Sequence, residues 1–263
     1  MCAKPILDGK KIVVTGASRG IGKAMAKAVV EAGASVVLIA RGEEALNQTQ
    51  AELQKVAASE RAINIITFDL MKINNFAELV AQLPASFESL DCLINNAGIS
   101  RFSPFEDVSI EEFDRLFNLN FKAPYFLTQA LLPNLKSTRG SVINVSSYFA
   151  HKGIPNLPSS VYSSTKGAIN SLTIRLAAEL GLQGIRVNAI APGTVETPMV
   201  KKNLEQLPSD SSKAMKEYYD KFYPFGRLGK PEDYGGVAVF LTSDAAKWIS
   251  GAIVPVDGAY TTL

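Results

Sequence analysis

The chain contains few of the residues that build metal centres, disulfide frameworks and serine-hydrolase triads. It has two cysteines, Cys2 and Cys92, which lie far apart in the sequence, and a single histidine, His151. Zinc sites and disulfide scaffolds need several such residues at defined spacings, and a Ser-His-Asp triad needs a histidine beside its nucleophile. We therefore expect no metal centre, no disulfide and no such triad, and we expect His151 to be a loop residue.

Long apolar runs and blocks of like charge are also missing. No apolar stretch approaches the roughly 18 residues of a membrane span, and Met1 to Lys11 lack the apolar middle of a signal peptide. The formal net charge is +2 without a basic stripe, which argues against nucleic acid as a partner. A chain of 263 residues that is 47% hydrophobic and 20% charged fits one globular domain. We expect a single cytoplasmic domain over residues 1–263 that acts on a small molecule.

Short runs of β-branched residues alternate with longer segments of helical spacing. The runs are apolar throughout, which is typical of parallel strands that are covered on both faces. The alternation predicts an α/β fold, a Rossmann-like doubly wound parallel sheet of about seven strands with helices on both faces. The predicted strands are Lys11–Thr15, Ser35–Ala40, Ile63–Phe68, Cys92–Ile94, Ser141–Val145, Ile185–Ile190 and Ala252–Val256, and the first helix is Ile21–Ala32, closed by Gly33.

The segment Val195–Arg227 interrupts this alternation and is rich in Met, Tyr, Phe and Pro. It predicts a helical lid, and together with Ile99–Phe102 and Tyr148–Pro158 it is expected to line a substrate pocket. Such a lining suits an apolar or extended carbonyl compound. The lid residues expected to take part are Met199, Leu204, Met215, Tyr218, Tyr219, Phe222 and Phe225.

A glycine-rich turn, Thr15-Gly16-Ala17-Ser18-Arg19-Gly20-Ile21-Gly22, joins the first predicted strand to the first helix. Glycines at that point let the backbone approach a pyrophosphate, which the helix N-terminus attracts. The G-x-x-x-G-x-G spacing differs from the usual G-x-G-x-x-G fingerprint and from a P-loop. Because it follows strand one, the turn nevertheless predicts a dinucleotide site.

The end of the second predicted strand indicates which dinucleotide is bound. NAD selectivity uses a carboxylate there to hold the ribose 2′-hydroxyl, but this chain has Ala40-Arg41, with Arg19 in the glycine turn. Two guanidinium groups and no acid suit a 2′-phosphate. We therefore expect NADP(H) as the cofactor.

Tyr162-Ser163-Ser164-Thr165-Lys166 places a phenol and an ammonium on one face of a helix, one turn apart. A free tyrosine titrates near about 10, and a neighbouring positive charge favours the phenolate. We therefore expect Lys166 to lower the pKa of Tyr162, which makes the phenol a proton donor and acceptor for work on a carbonyl or an alcohol.

With these motifs the chain resembles the short-chain dehydrogenase/reductases, and specifically their single-domain, NADP-preferring members. The likeness extends over essentially the whole sequence. Each marker is weak by itself, but together, in this order and in a βα context, they are specific. The markers are Thr15-Gly16-x-x-x-Gly20-x-Gly22, Asp69, Asn95-Asn96-Ala97-Gly98, Asn120, Ser147, Tyr162-x-x-x-Lys166 and Pro192-Gly193.

The resemblance implies a role for each of these positions. Asp69 would hydrogen-bond the adenine, Thr15 would brace the segment after strand four, and Thr197 would lie near the nicotinamide carboxamide. Two assignments stay open. Ser146 could take the place of Ser147, and Asn118 the place of Asn120, and only the family register favours Ser147 and Asn120. The implied catalytic residues are Asn120, Ser147, Tyr162 and Lys166; the implied cofactor-binding residues are Gly16, Ser18, Arg19, Gly20, Ile21, Gly22, Arg41, Asp69, Leu70, Asn96, Ala97, Gly98, Tyr162, Lys166, Pro192, Gly193 and Thr197.

The resemblance also implies a reaction and an assembly. The first reading is NADPH-dependent reduction of a ketone, and a narrower version is reduction of a 3-oxoacyl thioester, for which Arg101 offers slight support. The alternatives are an alcohol dehydrogenase running the same chemistry in reverse and a non-catalytic NADPH-binding module. Relatives commonly form homotetramers through the helix of Tyr162 and the helix around Phe113–Leu132, so we expect a tetramer or a dimer. Gly258-Ala259 replaces a pair of glycines, a departure that is expected to matter little.

Overall fold

A seven-stranded parallel sheet forms the centre of the molecule. The computed structural model describes residues 4–58, 61–154, 157–205, 217 and 221–262. The strand order β3-β2-β1-β4-β5-β6-β7 confirms the predicted doubly wound sheet. The strands are β1 (Lys11–Thr15), β2 (Ser35–Ala40), β3 (Ile63–Thr67), β4 (Cys92–Asn95), β5 (Ser141–Val145), β6 (Arg186–Pro192) and β7 (Ile253–Val256).

The order of the strands reverses at β1, which pairs with β2 on one side and β4 on the other. Val13 is level with Val37 in β2 and with Leu93 in β4, so one apolar layer crosses the centre of the sheet. In a doubly wound fold the reversal opens a crevice outside the carboxyl ends of the strands. The topology therefore places any ligand beside the glycine turn that follows β1.

Helices cover both faces of this sheet. One core packs α1 (Gly20–Glu31) and α9 (Gly235–Thr242) against residues such as Val14 and Val36. The other packs α3 (Phe76–Ala81) and α5 (Ala123–Ala130) against residues such as Val13 and Val37. The helices are α1 (Gly20–Glu31), α2 (Glu43–Gln54), α3 (Phe76–Ala81), α4 (Ile110–Phe117), α5 (Ala123–Ala130), α6 (Leu132–Thr138), α7 (Ser160–Leu180), α8 (Pro198–Glu205) and α9 (Gly235–Thr242); a π-helical turn (Asn118–Lys122) links α4 to α5.

The ends of the elements follow local backbone chemistry. Helix α1 begins at Gly20, one residue before the predicted start, and the chain leaves it through Gly33 at φ +100°. A Cβ atom at Gly33 would lie 2.7 Å from Pro5 Cβ, so both the conformation and the space require glycine. Strand β6 runs two residues further than predicted, to Pro192, where it pairs with Val256.

The predicted lid is helical at its start, where α8 leaves the strand-six loop. The C-terminal end of the lid segment packs onto the rest of the protein through Tyr223, which is buried. A bidentate ion pair between Arg227 and Asp233, at 2.7 and 2.9 Å, also holds it there. Met215, Tyr218 and Tyr219 lie outside the described residues, as do Pro155 and Asn156 of the expected pocket loop.

The chain after β7 packs back onto the body. Tyr260 is buried and stacks on Tyr223, with ring centroids 4.7 Å apart and an interplanar angle of 10°. Ala259 has φ +64°, a left-handed conformation that costs a residue with a Cβ roughly 1 kcal/mol. The Gly258-Ala259 departure therefore introduces local backbone strain. Within the described part of the chain, no helix combines the length and apolarity needed to cross a membrane.

Candidate active site

A cavity of about 1180 Å³ opens at the carboxyl ends of six neighbouring strands. Its wall takes residues from the loop after each of β1 to β6, which is where a doubly wound sheet binds ligands. The lining includes Gly16, Ser18, Arg19, Gly20, Ile21, Arg41, Asp69, Leu70, Asn96, Ala97, Gly98, Ile99, Ser147, Tyr162, Lys166, Pro192, Gly193 and Thr197. Gly22 and Asn120, the two other site residues predicted from the sequence, are not part of this lining.

The glycine turn is shaped by close backbone contacts. Gly16 and Gly20 have φ +63° and +57°, the left-handed region that glycine adopts at little cost. A Cβ atom at Gly22 would lie 2.3 Å from Asn96 Nδ2 and 2.5 Å from Gly16 O, so no side chain fits there. Because no described side chain caps the first turn of α1, its N–H groups are available to an anion.

Thr15 and Asn96 hold the glycine turn against the loop after β4. The hydroxyl of Thr15 accepts hydrogen bonds from Asn96 N at 3.0 Å and Ala97 N at 3.1 Å. Asn96 Nδ2 donates to Thr15 O and Gly16 O, at 3.0 and 3.1 Å. Thr15 thus braces the segment that the resemblance assigned to it, and it fixes the distance between two walls of the cavity.

Arg19 and Arg41 are both exposed at the end of the cavity beside β1 and β2. Arg41 directly follows β2, and Arg19 occupies the residue before α1. Asp69 lies in the neighbouring loop, where its Oδ1 accepts a hydrogen bond from Met71 N at 3.1 Å. The cavity therefore has a strongly cationic corner near β2 and one carboxylate near β3.

Tyr162 and Lys166 face the same cavity, but their electrostatic relation differs from the sequence prediction. Burial raises the pKa of Tyr162 to about 12, and a hydrogen bond with Ser147 opposes that rise. Lys166 Nζ donates to Val145 O at 2.8 Å and lies 5.8 Å from the centroid of the Tyr162 ring. The prediction that Lys166 lowers this pKa was wrong, because desolvation is the dominant cause and the Lys166 amine donates to a main-chain carbonyl instead.

Lys166 is itself buried, and burial lowers its pKa to about 8. Desolvation disfavours the charged form of an amine as it does that of a phenol. Both groups are therefore held closer to their neutral forms than they would be in water, in a cavity that a charged ligand can enter.

Ser146 and Ser147 both line the cavity, but the hydroxyl of Ser146 is already hydrogen-bonded within the protein. Ser146 donates to Asn170 Oδ1 and to Lys166 O, so its hydroxyl is used to hold strand β5 against α7. Ser147 Oγ accepts from Phe149 N at 3.3 Å and hydrogen-bonds with Tyr162. The geometry thus supports the family register over the adjacent residue.

Asn120 lies in the π-helical turn, 1% exposed, and joins two walls of the cavity. Its Oδ1 accepts from Ile99 N at 2.9 Å, while Nδ2 donates to Ile99 O at 2.8 Å and to Thr165 Oγ1 at 3.1 Å. Both amide hydrogens are used, so the side chain can take only one further hydrogen bond, as an acceptor. Asn118 instead lines a separate surface pocket beside Lys122.

The loop after β6 forms the wall opposite α7. Gly193 N donates to Val256 O at 3.1 Å, and a Cβ atom at Gly193 would lie 2.9 Å from Asp257 Cα. Thr197 Oγ1 accepts a hydrogen bond from Val200 N at 3.3 Å. The side chain of Thr197 is also the nearest neighbour that a Cβ atom at Gly20 would meet. This loop therefore links the start of α8 to the glycine turn.

The expected pocket lining from Tyr148–Pro158 was wrong for the described residues of that segment. Tyr148, Phe149, Ile154 and Leu157 are buried together with Tyr223 and Tyr260 in an aromatic cluster behind the cavity. They pack the lid and the C-terminal turn onto the body. His151 is exposed and does not belong to the described lining.

Helix α4 also contributes to the wall of the cavity, which no motif in the sequence indicated. Glu111, Glu112, Arg115 and Leu116 line the cavity, at the spacing of one helical face. Glu112 Oε2 lies 3.6 Å from Arg101 Nε and accepts from Ser103 Oγ at 2.9 Å. The cation expected at the entrance is therefore already paired with a carboxylate. Among the residues that the structure describes, there is no group of three or more potential metal ligands.

Comparison with known proteins agrees with this site. A family model described as "Enoyl-(Acyl carrier protein) reductase" matches residues 16–261. The chain is 34% identical over 256 residues to a gluconate 5-dehydrogenase of Gluconobacter oxydans, which covers 97% of this chain and 96% of that one. It is 35% identical over 257 residues to versicolorin reductase 1 of Dothistroma septosporum, with 96% of each covered.

A solved structure shows the same architecture with a nucleotide present. It is a candidate NAD(P) dependent gluconate 5-dehydrogenase from Beutenbergia cavernae, with NADP bound at low occupancy. The two chains superpose with a TM-score of 0.86 at 31% identity, over 98% of this chain and 100% of the other.

Replacing Asn120 should destabilise the protein because it strips both main-chain groups of Ile99 of their partners. We expect Asn120→Ala to lower the free energy of unfolding by about 3 kcal/mol, measured by urea denaturation. Asn118→Ala, two residues away on the same turn, is the matched control and should cost less than about 1 kcal/mol. Equal losses for the two variants would contradict the bridging role of Asn120.

Proposed function

This chain belongs to the short-chain dehydrogenase/reductase family of NAD(P)-dependent oxidoreductases, and we propose that it is an NADPH-dependent reductase of a ketone. One observation carries the proposal: Ser147, Tyr162 and Lys166 line the same cavity as the glycine turn and Gly193. A binding module without chemistry would have no use for a partly buried phenol and a buried amine in the cavity of a dinucleotide site.

The glycine turn, Arg19 and Arg41 would hold NADPH, which would supply the hydride for the carbonyl carbon. Tyr162 donates its phenolic proton to the carbonyl oxygen as negative charge develops there. Ser147 donates a hydrogen bond to the same oxygen and stabilises that charge. The raised pKa of Tyr162 keeps the phenol protonated at neutral pH, which is the state that a reductase needs before each turnover. Lys166, whose amine donates to Val145 O and lines the same cavity, would hydrogen-bond the nicotinamide ribose of the bound nucleotide.

The cationic corner accounts for the choice of NADPH over NADH. Arg19 and Arg41 face the cavity without a carboxylate at the end of β2. A guanidinium binds a 2′-phosphate through charge-assisted hydrogen bonds, whereas a 2′-hydroxyl gains little from it. The related Beutenbergia structure holds NADP, which fits the same preference.

The substrate that the cavity favours is an uncharged ketone. The lining includes the apolar side chains of Ile99, Val195 and Met199, and the pairing of Arg101 with Glu112 weakens the attraction of Arg101 for a substrate carboxylate. By name, the related gluconate 5-dehydrogenase acts on a carboxylate and versicolorin reductase 1 on versicolorin. A 3-oxoacyl thioester is the second candidate, because the matching family model is described as an enoyl-(acyl carrier protein) reductase, whose substrate is also an acyl thioester.

An exposed aromatic stripe along α4 and α5 supports a homo-oligomer. Phe113, Phe117, Phe121 and Tyr125 follow one another at every fourth residue, with adjacent ring centroids 4.6, 6.4 and 6.3 Å apart. Phe113 is 44% and Tyr125 39% exposed, and a contiguous apolar patch of this kind marks an interaction surface. We propose that a second copy of this chain covers the stripe, in a dimer or a tetramer.

The two cores share one sheet, so we propose that residues 1–263 act as one dinucleotide-binding and catalytic domain. We place the enzyme in the cytoplasm, where NADPH is kept reduced; the free, buried Cys92 suits a reducing compartment.

Loss of NADPH absorbance with neutral ketones, matched carboxylated ketones and acetoacetyl thioesters tests the reaction. On the best substrate, Tyr162→Phe should reduce kcat by roughly 10²–10⁴-fold because the proton donor is gone. Binding of NADPH, followed by fluorescence titration, should stay within about twofold because the ring is retained. Tyr125→Phe, which removes a hydroxyl from the stripe, is the control. An active Tyr162→Phe enzyme would remove the proton-donor role.

Arg41→Ala should raise the KM for NADPH by about tenfold, since one charge-assisted hydrogen bond is worth roughly 1.5–3 kcal/mol, and it should leave the KM for NADH nearly unchanged. Arg19→Ala should act in the same direction. Arg175→Ala, an exposed arginine of α7 away from the cavity, is the control. If wild-type kcat/KM were higher with NADH than with NADPH, the assignment of the cofactor would fail.

Light scattering on the purified protein should give the mass of a dimer or a tetramer. Introducing charge into the stripe with Phe113→Glu and Tyr125→Glu should shift the mass toward the monomer of 28.3 kDa, because a buried unpaired carboxylate is costly. Leu182→Glu, at an exposed position outside the stripe, should not. A monomeric wild-type protein would refute the assembly.

A further inference from the structure

The ring of Tyr162 is held between the rings of two phenylalanines. The centroids of Tyr162 and Phe102 lie 5.9 Å apart with an interplanar angle of 85°, and those of Tyr162 and Phe149 lie 5.7 Å apart at 75°. Phe102 and Phe149 also contact each other, at 5.6 Å and 36°. Edge-to-face pairs at these distances are the arrangement that aromatic quadrupoles favour.

The three rings come from separate segments of the chain. Phe102 is on the loop after β4, Phe149 is in the short 3₁₀ turn that follows Ser147, and Tyr162 is in α7. Phe149 belongs to the buried aromatic cluster, and Phe102 packs against that cluster while remaining half-buried. Their meeting point is therefore a product of the tertiary fold and not of local helix geometry.

We propose that Phe102 and Phe149 are positioning residues for Tyr162, which fix the direction of its hydroxyl and exclude water from it. The inference rests on the proposed function, in which that hydroxyl gives the proton. A proton donor works only from a geometry close to that of the reaction. With two rings against its faces and edges, the phenol cannot turn away from Ser147 without breaking an aromatic contact.

The surroundings of the phenol make its titration a direct reporter of this packing. Among the titratable or charged groups around it, Lys166 is on its own helix, Arg101 is beside Phe102 and lines the same cavity, and Tyr148, Tyr223 and Tyr260 belong to the cluster against which Tyr162 packs. Burial is the dominant cause of the raised pKa of Tyr162. Burial disfavours the phenolate, so admitting water at this point must lower the pH at which the phenol titrates.

The test measures that titration in the whole protein by NMR of ¹³Cζ-labelled tyrosine. The chain has eight tyrosines, and the resonance that is lost in Tyr162→Phe identifies Tyr162. In Phe102→Leu and in Phe149→Leu the midpoint of Tyr162 should move to lower pH than in the wild type. Phe105→Leu, three residues from Phe102 but 82% exposed, is the matched control and should leave the midpoint unchanged.

Kinetics supply a second, independent readout. Phe102→Leu should reduce kcat by about tenfold while the KM for NADPH stays within about twofold, because the donor is displaced and the nucleotide site is not. Phe102→Tyr, which keeps the ring and can direct its hydroxyl to solvent, should restore most of kcat. A thermal unfolding curve checks each variant, and Phe102 is the safer site because it is only half-buried.

The two levels of inference fail differently. If Tyr162→Phe keeps its activity, the proposed reaction is wrong, although the titration can still show that the two rings bury the phenol. If Tyr162→Phe is inactive but the Tyr162 midpoint and kcat in Phe102→Leu and Phe149→Leu equal those of the wild type, the positioning role is overturned.

Discussion

The carboxamide of Asn120 is the contact on which the geometry of the cavity depends. It pairs with both main-chain groups of Ile99 and with the hydroxyl of Thr165, so it fixes the loop after β4 relative to α7. Thr165 in turn donates to Tyr162 O at 2.7 Å. One side chain thereby sets the distance between the loop that carries Phe102 and the helix that carries Tyr162 and Lys166. Because the Asn120 side chain is buried and nearly saturated, this distance resists change.

The chemistry of the site follows from burial more than from charge pairing. Tyr162 and Lys166 are one helical turn apart, yet the amine is occupied by Val145 O and both groups titrate as desolvated groups. A phenol that stays protonated suits the donation of a proton to a carbonyl. A bound nucleotide with its negative charge would favour the protonated form of Lys166, so binding of the nucleotide and activation of the pair are linked through the same amine.

The sequence was sufficient to predict the sheet and the residues that line the cavity from the loops after the strands. Buried parallel strands are uniformly apolar, so the bounds of β1, β2 and β5 followed directly. The glycines were recognisable because only glycine fits where Asn96 crosses the turn. Three features could not be predicted from the sequence. They are the direction of the Tyr162 pKa shift, which depends on burial, the packing of Tyr148 into a core, and the position of α4, which brings Glu112 to Arg101. Each depends on contacts between segments distant in sequence, which periodicity does not encode.

The stack of Tyr223 on Tyr260 joins parts of the chain that are remote from each other and from the chemistry. The hydroxyl oxygen of Tyr223 accepts a hydrogen bond from Thr194 N in the strand-six loop at 2.6 Å. The rings of Tyr260 and Tyr148 meet edge-on, with centroids 5.1 Å apart and an interplanar angle of 82°. Tyr148 in turn contacts Phe149, with centroids 4.3 Å apart. A disturbance at the turn Tyr260–Thr262 therefore has a continuous route of touching rings to the phenol of Tyr162. This turn thus supports the proposed proton donor although the two are distant in the sequence.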